Sequence, residues 1–420
     1  MAVNGSNGFL HSFVLYFFGW AFVLFGLLTV DLEHPKEFIK GLIEIVKAPD
    51  YLLTDYVRVG GLSAAFFNAG VLMLVFAHIL KLLKMPITGI SYASILTIGG
   101  FALFGKNIFN VWPIPLGVFL YSLYRREPLQ RYIYIGYFGT ALSPFVSYVA
   151  FTLHANFFVR LFVSYLTGIV IGFFLPSLAS HSLTLHKGYN LYNVGFTCGL
   201  MGTVIAAILR AYGVRIPTQL VWSGGNNLVL SAFLFSLFVV VFLIGWFSNG
   251  RSWKGYGKLI KHGGRLLTDF VILEGLPLTL MNLGILGTVS TLYVLAVGSE
   301  LNGPTVGGIM TVAGFAALGK HPRNSLPVMA GVTLATITNS FKLASPNNVL
   351  AALFGTTVAP IAGEFGVLWG VITGFLHNAL VNNVGFLHAG FNLYNNGFAG
   401  GLVAIFLIPI IKALHKREDL

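Results

Sequence analysis

Long apolar runs separated by short polar stretches dominate the chain. The runs from Phe13 to Leu28 and from Leu228 to Phe247 hold 16 and 20 residues. These lengths approach or reach the roughly 20 residues that a helix needs to cross about 30 Å of hydrocarbon. Membrane-spanning strands would instead show segments of about ten residues with alternating polarity. The pattern therefore predicts an all-α, polytopic integral membrane protein.

The composition supports the same class. Hydrophobic residues make up 56% of the chain and charged residues 9%, whereas soluble domains carry about 25% charged residues. The formal net charge is +12, from 25 Lys and Arg against 13 Asp and Glu. The basic residues cluster beside apolar runs, where they orient a membrane protein, so we do not predict a nucleic-acid partner. We predict a multi-pass protein of the cell membrane whose surroundings are the lipid bilayer.

Several short motifs occur twice in the same order, which indicates an internal duplication. Asp55 in "LLTDYV" and Asp269 in "LLTDFV" are 214 residues apart (269 − 55). The other pairs are "GFALFGK" (100–106) with "GFAALGK" (314–320), "FGTALSP" (138–144) with "FGTTVAP" (354–360), and "LHKGYNLYNVGF" (185–196) with "LHAGFNLYNNGF" (387–398). We therefore predict two homologous membrane repeats, residues 1–214 and 215–420, joined by the polar segment 215–227. Duplicated membrane proteins of this kind are usually transporters or channels with a substrate site between the repeats.

The basic residues also predict how the repeats are oriented. In the first half, the short loops 81–84 and 125–131 hold five Lys or Arg, while their counterparts in the second half hold only Lys342. In the second half, seven Lys or Arg lie in 251–265 and 320–323. Because equivalent loops prefer opposite sides of the membrane, the charge pattern favours inverted repeats.

Some apolar segments are too short to cross a bilayer. The segments from Val111 to Leu123 and from Leu350 to Ile361 hold 13 and 12 residues. A segment that ends at membrane depth is tolerated only where protein or a water-filled cavity receives its polar groups. We therefore expect re-entrant pore helices.

The two Phe-Gly-Thr motifs, here called the FGT segments, are candidates for the tips of such helices. Phe138 and Thr140 belong to the first motif, and Phe354 and Thr356 to the second. Threonine hydroxyls or freed carbonyls at a tip could replace the hydration shell of a solute. The alternative is a proline-kinked spanning helix in which each threonine bonds its own backbone.

The paired His-x-Gly segments are unusually polar for their setting. Their candidate pore-lining residues are His186, Asn190, Tyr192 and Asn193, and the second set His388, Asn392, Tyr394 and Asn395. Amides and phenols suit a small, neutral, hydrogen-bonding solute. Alternatively, these side chains join neighbouring helices, or the tyrosines belong to an aromatic belt. For the histidines we favour a structural hydrogen-bonding role over proton transfer, and without metal-ligand spacing we predict no metal or cofactor.

Charged residues within the apolar pattern separate the transport mechanisms. Lys106 and Lys320 end the two "GFA" motifs and could hold an anion, unless their ammonium groups extend to the lipid headgroups. Glu364 is the acid that a proton-coupled carrier would use, but acids are scarce, which favours a channel or uniporter. Neither a G-x-x-x-x-G-K-[ST] loop nor a G-x-S-x-G elbow occurs, and we predict that the protein is not an enzyme.

Two resemblances add to these predictions. Through "GFAALGK", "FGTTVAPI" and "HAGFNLYNNGFAGG", the whole chain resembles an uncharacterised family of bacterial membrane proteins, known as a domain of unknown function. The order of segments within each half is also similar to urea transporters, although that family's Gly-Tyr-Asn-Gly stands here as Phe354-Gly355-Thr356-Thr357. The second resemblance implies two inverted halves around a narrow central channel, and a homotrimer with one pore per subunit.

Together, the patterns and resemblances predict a membrane channel or transporter. We expect a small polar, urea-like or amide-like solute to pass through a pore where the two repeats meet. The alternatives are a small-anion transporter, a proton-coupled carrier, and a membrane-embedded enzyme that uses the paired His, Asn and Tyr residues.

Overall fold

The computed structural model describes residues 5–50, 53–216, 220–339 and 342–415. Leu52 of the first repeated motif and residues 217–219 of the predicted joint lie outside the described residues. The first-half helices are α1 (Gly5–Leu28), α2 (Pro35–Lys47), α3 (Tyr56–Leu82), α4 (Gly89–Phe101), α5 (Pro113–Arg125), α6 (Ile133–Gly139), α7 (Ser143–Thr152), α8 (Phe157–His186) and α9 (Asn193–Ala211). The second-half helices are α10 (Asn227–Ser248), α11 (Tyr256–Leu259), α12 (Phe270–Leu273), α13 (Leu276–Ala296), α14 (Gly303–Phe315), α15 (Pro322–Thr338), α16 (Pro346–Gly355), α17 (Ala359–Phe365), α18 (Val367–Val384) and α19 (Asn395–His415). Two short parallel strands, β1 (Leu53–Thr54) and β2 (Leu220–Val221), pair with each other.

Nine helical segments within the described ranges are long and apolar enough to cross a membrane. They are Phe9–Leu28, Tyr56–Leu82, Ile133–Thr152, Phe157–His186, Asn193–Ala211, Asn227–Ser248, Leu276–Ala296, Pro346–Phe365 and Asn395–Leu414. This finding confirms the predicted all-α, polytopic membrane protein, with a lipid bilayer around it.

The FGT segments lie inside two of these candidate spans. A 3-10 turn that begins at Thr140 separates α6 from α7, and one that begins at Thr356 separates α16 from α17. Each threonine hydroxyl donates a 2.6 Å hydrogen bond to the carbonyl three residues earlier, that of Tyr137 or Leu353. A proline four residues after each threonine, which has no N–H group to donate, follows the break. The structure thus favours the proline-kinked span over the re-entrant tip for these segments.

Features of the first half recur in the second. A kink at Gly61 in α3, with φ 84°, has its counterpart at Gly275 before α13, with φ 85°. Asn68 in α3 donates hydrogen bonds of 2.8 and 2.9 Å to two carbonyls in the turn after α4. Asn282 in α13 donates two, each 2.8 Å long, to the turn after α14. The division into repeats at residue 214 stays a prediction, and these matching contacts are what such a duplication requires.

The short helices α4 and α14 pack against each other in antiparallel directions. Every residue of α14 is buried, and so are all those of α4 except one. Their backbones approach closely: a β-carbon at Gly100 would lie 2.6 Å from the oxygen of Gly307, and one at Gly307 would lie 2.5 Å from the oxygen of Gly100. At the other end of the pair, Gly89 at the start of α4 lies against Ala317, just beyond the end of α14. Inverted repeats require this antiparallel arrangement of corresponding helices.

Two acidic side chains join the halves reciprocally. Oδ1 of Asp55 accepts a 3.1 Å hydrogen bond from the N–H of Gly303, at the start of α14. Oδ1 of Asp269 accepts a 2.9 Å hydrogen bond from the N–H of Gly89, at the start of α4. Each also caps the helix that follows it in its own half. A carboxylate at a helix N-terminus satisfies free N–H groups and complements the helix dipole, so each half stabilises the short helix of the other.

The basic segments from the sequence lie at one end of the molecule. The Gln130 amide lies 3.5 Å from the Leu83 carbonyl, which brings 125–131 beside 81–84. His321 lies 2.9 Å from the carbonyl of His262, which brings 320–323 beside 251–265. Because Asp269 bonds to the N-terminus of α4, both pairs of segments lie at the same end of α4. We call this the basic end of the molecule.

Candidate functional site

Six aromatic side chains form a continuous series of ring contacts that runs from the C-terminal end of α4 to the C-terminal end of α14, past the FGT segments and the starts of α9 and α19. This aromatic cluster consists of Phe101, Phe138, Phe315, Phe354, Tyr192 and Tyr394. Its ring centroids are 4.4 to 5.8 Å apart in five pairs, which is the usual range for aromatic contacts. The two tyrosine rings lie at the centre, 5.7 Å from each other. The cluster therefore combines residues of both halves in one buried core.

Lys320 reaches this cluster from the turn after α14. Its side chain is fully buried, and its Nζ donates to the hydroxyl of Tyr192 at 2.6 Å and to Oγ1 of Thr356 at 2.8 Å. The Nζ also lies 4.5 Å from the ring centroid of Tyr192 and 5.2 Å from that of Phe315, which allows cation–π attraction. This lysine is thus held by groups from both halves.

Lys106 reaches the cluster from the corresponding turn after α4. It is also fully buried, and its Nζ lies 5.2 Å from the ring centroid of Phe101 and 5.7 Å from that of Tyr394. Within the part of the chain that the structure describes, neither the Nζ of Lys106 nor the hydroxyl of Tyr394 makes a hydrogen bond of normal geometry, and the Thr97 side chain is the polar neighbour of that hydroxyl. Equivalent residues therefore surround both lysines, but the described residues provide hydrogen-bond partners for the Nζ of Lys320 alone.

No carboxylate pairs with either lysine among the described residues. Because both side chains are fully buried, neither ammonium reaches the lipid-facing surface, unlike the alternative in which they extend to the headgroups. A buried charge without a partner is costly, and an acceptor or an anion beside it lowers that cost. The two buried ammonium groups therefore disfavour the binding of a cation beside them and favour the binding of a hydrogen-bond acceptor or an anion.

The His-x-Gly segments cross from one half to the other. The backbone N–H groups of Leu191 and Leu393 donate to carbonyls in the FGT turn of the opposite half, at 2.9 and 3.1 Å. The side-chain amide of Asn190 donates to a backbone carbonyl in α19 at 2.9 Å, and that of Asn392 to one in α9 at 3.2 Å. The two asparagines therefore connect the halves, and these contacts position the tyrosines that follow them.

The two histidines of these segments form a matching pair of side-chain contacts. Nε2 of His186 lies 2.8 Å from Oδ1 of Asn193, and Nε2 of His388 lies 2.9 Å from Oδ1 of Asn395. Each of these asparagines also donates to a carbonyl of the preceding long helix, α8 or α18. Each histidine–asparagine pair therefore stabilises the turn between two helices, α8 and α9 in the first half and α18 and α19 in the second. The histidines are not members of the aromatic cluster.

A cavity of about 330 Å³ lies on one side of the cluster. Phe354 of the cluster and Phe104 form part of its wall. Six asparagines line it: Asn347, Asn382, Asn383, Asn392, Asn395 and Asn396. We call it the asparagine cavity, and its amides can both donate to and accept from a polar solute.

A second cavity, of about 180 Å³, lies against four members of the cluster. Its lining is mainly apolar, so we call it the apolar cavity. Four of its residues correspond to residues of the asparagine cavity at the spacings of the repeated motifs. The pairs are Leu267 with Leu53, Leu318 with Phe104, Phe138 with Phe354, and Leu191 with Leu393. The two cavities therefore occupy corresponding places in the two halves, but their polarity differs.

The cavities lie at opposite ends of α4. Ile90, at its start, lines the apolar cavity, whereas Phe104, just beyond its end, lines the asparagine cavity. A helix of 13 residues is about 20 Å long. The aromatic cluster and the two lysines lie between the cavities, and we call this set of residues the constriction.

Most of the predicted site residues meet at this constriction. Those in or against the aromatic cluster are Phe138, Phe354, Tyr192, Tyr394, Thr356, Lys106 and Lys320. Asn392 and Asn395 line the asparagine cavity, and Asn193 lines the apolar cavity. Thr140, Asn190, His186 and His388 are instead engaged with the protein's own groups.

The sequence prediction missed two sets of residues. Phe101 and Phe315 belong to the cluster and lie inside the repeated "GFA" motifs, where only the lysines were singled out. Asn382 and Asn383 line the asparagine cavity, and an asparagine pair inside an apolar helix was a signal available in the sequence.

Glu364, the acid suspected of proton coupling, lies outside the constriction. It accepts a hydrogen bond from the hydroxyl of Tyr189, and its Oε2 lies 3.7 Å from Nη1 of Arg265, in a basic segment. Within the described ranges, no group of three or more His, Cys, Asp or Glu side chains is arranged to hold a metal ion.

These features define a class: a polytopic α-helical membrane protein with buried polar groups between two cavities. The profile of the family described as "Protein of unknown function (DUF1576)" matches residues 34–211 and 248–413, and the chain therefore belongs to this family. No curated protein and no solved structure matches the chain. The predicted membership of an uncharacterised family is confirmed, while the similarity to urea transporters stays a prediction.

Proposed function

We propose that the protein carries a small polar solute across the bilayer, from the asparagine cavity through the aromatic cluster to the apolar cavity. The observation that carries this proposal is the position of the cavities at opposite ends of α4, with buried polar groups between them. Binding sites at repeat interfaces near the middle of the membrane are typical of duplicated transporters.

The antiparallel packing of α4 and α14 supports inverted repeats. In such an arrangement the two cavities open toward opposite sides of the membrane. The basic end carries the segments that the positive-inside rule assigns to the cytoplasm. Leu267 lies two residues from Arg265 of that end and lines the apolar cavity. We infer that the apolar cavity faces the cytoplasm and that the asparagine cavity faces the outside of the cell.

The constriction selects by size and by hydrogen bonding. Six rings in mutual contact separate the cavities, so we infer that only a small solute passes, one that exchanges its hydration for the tyrosine hydroxyls, the lysines and Thr356. No acid among the described residues contacts the lysines, and Glu364 is engaged at the basic end, which supports a channel or uniporter over a proton-coupled carrier. Because His186 and His388 are engaged with asparagines, we infer transport rather than catalysis.

Two solute classes fit this pathway. The six asparagines of the larger cavity suit neutral, urea-like or amide-like molecules. The two buried lysines favour small anions, the second candidate. The resemblance to urea transporters supports a homotrimer in which each subunit holds its own pathway.

A flux measurement with a blocked cavity tests the proposal. Asn383→Cys places a thiol in the asparagine cavity, and the single native cysteine, Cys198, is buried. Protein labelled with a bulky maleimide before reconstitution into liposomes is compared with unlabelled protein for uptake of urea, acetamide, nitrate and formate. Tyr212→Cys, at an exposed position outside both cavities, is the matched control.

We expect uptake of at least one solute, with loss on labelling at position 383 and none on labelling at 212. Folded protein that passes no solute of either class would overturn the proposal. Uptake that is insensitive to the label at position 383 would overturn the assigned route.

A further inference from the structure

The two lysine sites at the constriction differ in one respect that bears on the solute. The Nζ of Lys320 has two hydroxyl partners within 2.8 Å. Around Lys106, the corresponding tyrosine is present as Tyr394, but its hydroxyl and the lysine Nζ are both buried and without partners in the described chain. The Nζ lies 5.7 Å from the centroid of the Tyr394 ring. Two buried polar groups without partners on neighbouring side chains are a costly arrangement unless a third group satisfies them.

We propose that Lys106 and Tyr394 form the binding site of a small monovalent anion, which is the solute of the pathway. This inference rests on the proposed function and narrows it to one substrate class. The ammonium supplies charge and donors, and the phenol supplies one further donor. Both groups favour an acceptor-rich, negatively charged partner over a cation.

The surroundings set the size and charge of this anion. Phe101 lies against both side chains. Its ring centroid is 5.2 Å from the Nζ of Lys106 and 4.4 Å from the ring centroid of Tyr394. An anion that enters must lose most of its water and receives few donors in return. A halide, nitrate or formate ion tolerates this exchange better than phosphate or sulfate, which carry more charge and need more hydrogen bonds.

A neutral amide fits this position less well. Its oxygen can accept from the ammonium, but it leaves the buried charge uncompensated, and no carboxylate among the described residues pairs with Lys106. An anion satisfies the hydrogen bonds and the charge together.

The site lies on the route between the cavities. Tyr394 lines the apolar cavity. Phe101 stacks on Phe354, with centroids 5.3 Å apart, and Phe354 lines the asparagine cavity. An anion at Lys106 is therefore one aromatic ring away from either cavity. Lys320 provides a second buried ammonium group next to Tyr192.

Binding and flux in the full-length protein test this inference. Calorimetry in neutral detergent measures the affinity for sodium nitrate and sodium formate, with sodium sulfate at matched ionic strength and urea as comparisons. Proteoliposomes of the same preparations measure uptake of nitrate, formate and urea. The variants are Lys106→Met, Lys106→Arg and Tyr394→Phe, and Lys254→Met, at an exposed position of the basic end, is the charge control.

We expect nitrate and formate to bind while sulfate and urea do not, with affinity at least about tenfold weaker in Lys106→Met because a charge-assisted hydrogen bond is lost. Lys106→Arg should restore part of this affinity, and Tyr394→Phe should lower it by about three- to tenfold if the phenol donates one neutral hydrogen bond. Lys254→Met should bind as the unchanged protein does. Tyr394→Phe retains the ring, so it keeps the test valid even if Lys106→Met fails to fold.

The possible failures are distinguishable. Urea uptake without anion binding or anion uptake would overturn this inference and leave the proposed function standing. No uptake of any solute would overturn the proposed function as well. Anion binding that Lys106→Met and Tyr394→Phe leave unchanged would place the site elsewhere and contradict the assignment.

Discussion

The surroundings of Lys320 and Lys106 are two versions of one arrangement. Each lysine follows a short buried helix and approaches a tyrosine from the opposite half. The Nζ of Lys320 is hydrogen-bonded to a tyrosine and a threonine of the protein itself, whereas the Nζ of Lys106 and the hydroxyl of Tyr394 form no hydrogen bond with the described residues. The difference teaches that the two halves share a framework of contacts, while among the described residues the Lys106 site alone leaves an ammonium and a phenol without hydrogen bonds.

The two cavities differ in the same sense. They occupy corresponding places, yet one is lined by six asparagines and the other is mainly apolar. By contrast, the helix kinks at Gly61 and Gly275 and the contacts of Asn68 and Asn282 agree closely. Substitutions should thus have equal effects in both halves where the contacts match, and unequal effects where the contacts differ, as they do at the constriction.

The largest equal effect is expected at the crossing of α4 and α14. In Gly100→Val and in Gly307→Val, the new β-carbon would lie 2.6 and 2.5 Å from a backbone oxygen of the other helix. Neither backbone can yield without separating the helices, so each variant should lose about 3 kcal/mol of stability or more. Thermal unfolding in detergent and the yield of monodisperse protein measure the loss.

Gly257→Ala is the control for this pair, because a β-carbon there would meet no atom within 4 Å. It should unfold as the unchanged protein does. A strong effect of only one of the two crossing variants would argue against a shared framework.

The two reciprocal acids should give the next largest effect, and an unequal one. Asp55 accepts hydrogen bonds from the N–H groups of Val57, Gly303 and Ser223 and from the Ser223 hydroxyl, whereas Asp269 accepts from two N–H groups. We expect Asp55→Ala to lower the free energy of unfolding by about 3 kcal/mol and Asp269→Ala by about 1 to 2 kcal/mol. Denaturant titration in mixed micelles measures both, and the reverse order would contradict the assignment of these contacts.

The lysines should differ in the sign of their effect on stability. Lys320→Met removes two hydrogen bonds and leaves the Tyr192 hydroxyl unpaired, so it should cost about 1 to 2 kcal/mol. Lys106→Met removes a buried amine that makes no hydrogen bond with described residues, so it should be neutral or stabilising. Thermal unfolding in anion-poor buffer compares the two.

The threonines of the FGT segments provide a matched control for the lysines. Thr356→Val removes a partner of Lys320, whereas the Thr140 hydroxyl donates to the carbonyl of Tyr137, so Thr356→Val should be more destabilising than Thr140→Val. Equal losses for Lys106→Met and Lys320→Met would show that the two sites do not differ as described.

The smallest effect is expected at the paired histidines, and it should be equal. His186 and His388 each contact one asparagine seven residues later, at 2.8 and 2.9 Å. Glutamine retains a group that can bond this asparagine, so His186→Gln and His388→Gln should each cost under about 1 kcal/mol. Flux of each variant is measured beside its stability, and abolished flux in only one of two stable variants would favour the enzyme or proton-transfer alternative.

The sequence predicted the fold class well because hydrophobic run length depends on the chain alone. The repeated motifs also drew attention to Tyr192, Tyr394, Lys106 and Lys320, which the structure brings together, while their role in a pathway stays a prediction. For the FGT segments the sequence predicted a re-entrant tip, with a kinked span as the alternative because proline and glycine suit both. The structure favours the kinked span.

The difference between the lysines could not be predicted. Both motifs read Gly-Phe-Ala-x-x-Gly-Lys, so local sequence does not say which ammonium finds a threonine hydroxyl within reach. That outcome depends on how the FGT segment of each half packs, a tertiary contact across 36 residues between Lys320 and Thr356. The polarity of the cavities likewise depends on which asparagines of α18 and α19 face inward.

The most direct test of the pathway is the sidedness of its two cavities. Asn383→Cys lies in the asparagine cavity and Leu267→Cys in the apolar cavity, each introduced beside Cys198→Ser. A membrane-impermeant maleimide is added to intact cells and, separately, to inside-out membrane vesicles. We predict labelling at position 383 only from outside and at position 267 only from the cytoplasmic side. Labelling of both positions from the same side would contradict a pathway that joins two opposed cavities.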